Sequence, residues 1–129
     1  MSTVRGKTMS KIRVIVKKVG EEPQITEIEN SYEAISSIVE GYVEHIYLSN
    51  EVGCWLNEEG KLRELPLNMK LQDCKGKNFD LLVGNLVLIQ EEEDKTSISM
   101  TDENVDKYLK QFGEGALKCD HVDLGFSFF

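Results

Sequence analysis

Hydrophobic positions at the start of the chain alternate with period two and then switch to helical spacing. Lys11–Lys18 (KIRVIVKK) sets Ile12, Val14 and Val16 against Arg13 and Lys17, with Ile15 apolar on the second face. That is the pattern of a strand interior to a sheet. Gly20 and Pro23 punctuate a turn, and Gln24–Glu29 (QITEIE) reads as a second strand closing a hairpin. Asn30 followed three residues later by Glu33 suggests a capping box opening a helix over Ser31–Glu40. Its expected buried stripe is Tyr32, Ile35, Ile38 and Val39, with Gly41 placed to end it.

Period two returns over Tyr42–Leu48 and Val52–Leu56, separated by the turn residues Ser49, Asn50 and Glu51. Asn57-Glu58-Glu59-Gly60 is a further turn, after which Lys61–Leu65 is expected to return as a third strand of a meander that Pro66 ends. Leu67–Leu71 reads as a single helical turn and Gln72–Asn78 as a loop. Gly84 divides the apolar run Phe79–Gln90 into a short turn over Phe79–Val83 and a buried strand over Asn85–Gln90. An acidic loop, Glu91–Asp94, leads to a short extended piece at Ser97–Met100. Thr101 or Asp102 then caps a second helix, Asp102–Phe112, with the stripe Val105, Tyr108, Leu109 and Phe112 and with Gly113 past its end.

These elements predict an α+β fold: a mostly antiparallel sheet of five to six strands with the two helices packed on it. Residues 1–10 read as a polar arm, 11–113 as one domain, and 114–129 as a tail that folds back or meets a partner. The tail ends in Phe126, Phe128 and Phe129, too apolar to be left in water without cost, and these are the candidate contacts of a homodimer.

At 129 residues the chain has the length of one domain, able to fold without metal or disulfide. Three widely spaced cysteines, Cys54, Cys74 and Cys119, and no apolar leader point to reduced thiols in a cytosol. A net charge of −8 argues against direct binding of nucleic acid, and no apolar run is long enough for a membrane span. The charge is segregated. Met1–Lys18 has six basic residues and no acid, whereas Gly20–Gly60 has ten acids and neither Lys nor Arg. Lys61–Lys77 then has five basic residues against two acids.

Catalytic chemistry is poorly supplied. His45 falls inside a strand pattern and His121 in the tail, and no cysteine has a recognisable base beside it in the sequence. Cys119, Asp120 and His121 could join Cys54 or Cys74 around a metal, but no Cys-x-x-Cys pair supplies a nucleus, so neither metal nor cofactor is expected. Binding is better supplied. Glu27 and Glu29 are expected across from Arg13 and Lys17 in the first hairpin, which leaves Glu33, Glu40, Glu44, Glu51, Glu58 and Glu59 to form an acidic face for a basic, nucleic-acid-binding groove on another protein. An alternative site for a small anion such as a nucleotide comprises Trp55, Asn57, Lys61, Arg63 and Asn68, set against the plainer reading of a buried Trp among solvated lysines.

Four stretches, Lys11–Glu44, LNEEGKLRELPLN at Leu56–Asn68, FDLLVGNLVLI at Phe79–Ile89 and SMTDENVDKYLKQF at Ser99–Phe112, resemble in order the domain of unknown function family 3846. The resemblance spans Lys11 to Phe112 and implies a small accessory protein of a Gram-positive phage, plasmid or conjugative element, with no established catalytic residues to carry over. The expectation is a non-enzymatic cytosolic protein that binds and inhibits a host factor, a defence system included, through its acidic face. The alternative expectation is a protein that sequesters a nucleotide-like signal.

Overall fold

The computed structural model describes residues 10–120. The first hairpin forms as the sequence predicts, from β1 (Lys11–Lys17) and β2 (Gln24–Glu29), in antiparallel register with Ile12 opposite Ile28. Helix α1 (Tyr32–Val39) follows, then β3 (Val43–Tyr47) and β4 (Val52–Asn57). The second half contains β5 (Leu67–Gln72), β6 (Asn78–Val83), β7 (Leu86–Glu91), β8 (Ser97–Ile98), α2 (Asp102–Glu114) and β9 (Ala116–Lys118). The fold is α+β, and its strands divide between two sheets.

The larger sheet runs β2-β1-β7-β4-β3, with β8 also paired to β7, and is antiparallel throughout. One face carries Val14, Val16, Val87 and Ile89, which pack with Ile35 and Val39 of α1. The opposite face carries Ile15, Cys54, Leu56, Leu86 and Leu88. These meet Met69, Leu71 and Leu82 from the smaller sheet, β6-β5-β9, and Val105, Tyr108 and Phe112 from α2. All six residues of β7 are buried because the strand is covered on both faces.

Several expectations are corrected. Ser31, not Asn30, caps α1, its Oγ accepting from Ala34 N at 3.1 Å. Tyr32 is 51% exposed and does not join the buried stripe. The helix ends on Glu40, which takes the left-handed conformation (φ 66°) that Gly41 was expected to supply. Gly41 is needed for space instead: a Cβ there would lie 2.6 Å from Asn57 Nδ2.

The expected meander stops after two strands. Residues 61–65 coil into consecutive turns, with Arg63 N donating to Glu59 O and Leu65 N to Gly60 O, and Glu64 adopts φ 57°. The second side of β4 is taken by β7. Leu67–Leu71 and Phe79–Val83 are strands rather than turns, because Met69 and Leu71 on β5 and Leu82 on β6 face the core with period two. Helix α2 runs through Gly113, and Gly115 (φ 88°) caps it; β9 then lies parallel to β5. In the first hairpin Glu27 faces Arg13 but Glu29 faces Lys11 rather than Lys17. Arg13 also reaches Met100 O through Nε at 2.9 Å and Asp102 through Nη2 at 2.9 Å.

Two buried or half-buried amides tie the layers together. Asn57, 2% exposed, donates from Nδ2 to Val39 O and Glu40 O and accepts at Oδ1 from Glu59 N. It thus satisfies orphan carbonyls of α1 and shapes the turn after β4 in one stroke. Asn68 donates to Lys17 O and Gly84 O and accepts from Lys17 Nζ, joining β1, β5 and the β6–β7 turn. Truncating Asn57 to Ala strands several of these partners in a dry setting, so N57A is expected to cost about 2 kcal/mol or more. Urea unfolding checks this: the midpoint falls with an unchanged m value, and a midpoint at the wild-type position would contradict the assigned role.

Candidate acidic notch between the two sheets

The β3–β4 ladder places Glu44 opposite Leu56 and Ile46 opposite Cys54, so these four side chains share the sheet face turned away from α1. Past the end of β4, Glu58 N donates to Tyr42 O at 2.8 Å, which continues the register and puts Glu58 on the same face as Glu44. Strand β6 approaches from the smaller sheet and adds Asp80 and Leu82. The result is a notch of about 170 Å³ with Ile46, Leu56 and Leu82 in its apolar lining and Glu44, Glu58, Asp80 and Lys61 as its charged groups.

Three carboxylates therefore converge around one ammonium. Lys61 Nζ is bonded to Asp80 Oδ1, and among the described residues no basic side chain is bonded to Glu44 or Glu58. The Glu44 carboxyl is held above its ordinary range, first by partial burial and then by the like charge of Glu58, with Asp80 adding to the rise and Lys61 and His45 opposing it. A notch of this composition can accept a cationic side chain: the stem lies along apolar lining and the head meets two unpaired acids.

The six glutamates proposed from sequence do not form one face. Glu44 and Glu58 meet at the notch; Glu33 lies in the first turn of α1 and Glu40 at its C-cap, on the opposite side of the sheet. Glu51 accepts from Asn104 Nδ2 of α2 at 3.2 Å, and Glu59 sits in the turn after β4. The sequence pattern predicts a turn over Phe79–Val83, which leaves Asp80 out of the candidates; strand periodicity is what aims it at Glu44.

The five residues proposed for a small anion do not line one cavity either. Trp55 projects to the α1 side, stacked on His45 with centroids 4.3 Å apart, and its buried indole N–H has no acceptor among the described residues. Asn57 and Asn68 are the structural amides described above, Lys61 is paired to Asp80, and Arg63 Nη1 donates to Glu40 O at 3.2 Å. Phe126, Phe128 and Phe129 lie outside the described residues. Among the described residues no group of three or more His, Cys, Asp or Glu is placed to hold a metal ion, and no helix is long and apolar enough to cross a membrane. Cys54 is fully buried and its thiol is pushed up to about 12 by that burial, which leaves it unreactive as a nucleophile at neutral pH.

Residues 12–113 match the family model of a domain of unknown function, DUF3846. The chain belongs to this family. The match covers β1 through most of α2 and so includes every wall of the notch, while β9 lies beyond it. No curated protein and no solved structure matches the chain. For this DUF3846 chain, the notch is described by its own geometry alone.

The raised Glu44 carboxyl fixes a sign. A group whose folded pKa lies above its unfolded value binds its proton more tightly in the folded state, so its ionisation costs stability as pH rises. Glu44→Gln is expected to stabilise the protein at neutral pH by about a few tenths of a kcal/mol given its exposure, seen as a small rise in melting temperature. The gain should shrink as pH falls through the carboxylate range. Thermal melts of both proteins across that range check this, and a variant less stable than wild type at neutral pH would refute it.

Proposed function

We propose that this protein is a non-enzymatic binding module that takes a basic segment of another protein into the notch. The observation that carries the reading is the meeting of Glu44, Glu58 and Asp80 around an apolar-lined opening whose one lysine is committed to Asp80. Bringing like charges together costs folding stability, and an incoming Arg or Lys relieves that cost while filling the opening. Such a site favours partner selection and fast association more than raw affinity. In the mobile-element setting that the family resemblance implies, the partner is a cytosolic host protein with a basic nucleic-acid-binding surface, and occupying that surface inhibits it. Defence factors are among the proteins that carry one.

The test is retention of bacterial proteins on the immobilised chain, identified by mass spectrometry. Wild type is expected to retain a basic protein that elevated salt releases. E44Q/E58Q should lose it, whereas E33Q/E40Q, changed on the helix side, should keep it. Equal loss in both double variants, or retention by E44Q/E58Q, would sink the assignment.

A further inference from the structure

The notch adjoins an open sheet edge. Strand β3 pairs with β4 alone, and the ladder bonds run through alternate residues: Tyr42 with Glu58, and Leu48 with Val52. By that alternation the amides and carbonyls of Val43, His45 and Tyr47 point away from β4. Two of these outward groups are already engaged, since Val43 N donates to Tyr32 Oη and Tyr47 O accepts from Cys119 Sγ. Val43 O, His45 N–H, His45 O and Tyr47 N–H remain, with no hydrogen-bond partner among the described residues. The gap between the engaged ends is the length of a short extended peptide.

The side chains flanking that gap differ by face. Glu44 and Ile46 point to the notch, and His45 and Tyr47 to the α1 side, where His45 stands exposed against Trp55. We propose that a basic extended segment of the partner adds to β3 as a further strand, its main chain bonding the free groups at His45 and its alternate Arg or Lys side chains entering the notch. This deepens the binding reading above and rests on it. Main-chain bonding supplies adhesion at such an edge, and the alternate pockets supply selection. A second copy of this chain is disfavoured at the same edge, because β3 against β3 brings Glu44 near its own equivalent. The edge strand at the other end of the larger sheet, β2, is acidic as well, through Glu27 and Glu29. Like charges facing across strands repel.

The probe is a short synthetic peptide in which arginine alternates with threonine, titrated against the full chain by calorimetry. Wild type is expected to bind it, and E44Q/E58Q to bind about tenfold or more weakly. His45→Pro removes the outward N–H without touching the β4 ladder and should weaken binding to a similar degree, while H45T, which keeps the amide, should bind like wild type. Should H45P fold poorly, peptides N-methylated on one or the other alternate set of amides replace it: one set should abolish binding and the other leave it. If E44Q/E58Q loses binding but H45P and both methylated peptides retain it, the notch stands and strand addition is overturned. If neither wild type nor the chain lacking residues 121–129 binds the peptide, both readings fall. If binding emerges only after residues 121–129 are removed, the edge belongs to the chain's own C-terminus and a partner strand is excluded.

Discussion

The structure depends on burying β7 from both sides. Leu86, Val87, Leu88 and Ile89 are all inaccessible. Each contributes about 1.5–3 kcal/mol when fully removed from water. An exposed ion pair such as Lys107–Asp120 contributes at most about 1 kcal/mol, so core burial sets the architecture and surface charge does not. Covering Val87 and Ile89 requires α1; covering Leu86 and Leu88 requires α2 and the second sheet. The strand's polar end is also accounted for: Gln90 Oε1 accepts from Thr101 N and Asn104 Nδ2, and Glu91 accepts from Tyr47 Oη.

The notch is a by-product of that layering. The smaller sheet closes over the β7–β4 part of the core but leaves a gap beside β3, into which the register directs Glu44 and Glu58. Asn57 holds the turn that carries Glu58, Glu59 and Lys61 against the end of α1, so charge placement follows from a buried amide rather than from the charged residues themselves. A fold free of function would gain by replacing one of these acids. The proposed binding reading rests on their place in a gap beside main-chain groups of β3 that have no partner among the described residues.

Local chemistry made part of this legible. The first hairpin, both helices, the β3–β4 pair and the buried β7 follow from period and turn residues, because each is decided within a dozen positions. The smaller sheet was hidden for a physical reason. Phe79 and Leu81 stay exposed, so β6 presents apolar residues on both faces and blurs the period-two signal, whereas β5 alternates (Leu67, Met69 and Leu71 against Asn68, Lys70 and Gln72) over only six residues. Asn57 and Asn68 looked like ligand-binding residues, as polar side chains near a Trp do in one dimension. Their actual partners, at Val39, Glu40, Lys17 and Gly84, are backbone groups that only the packed chain brings near. Glu44 and Glu58 were among the candidates from charge alone, but nothing local separates them from Glu33 and Glu40.

The proposed binding mode requires β3 to be an open edge beside the notch, and amide hydrogen exchange in the free protein reads this directly. Main-chain bonds to β4 should protect the amides of Glu44 and Ile46, while those of His45 and Tyr47 exchange fast. Equal protection at all four positions would mean that the edge is already covered, and would contradict the account.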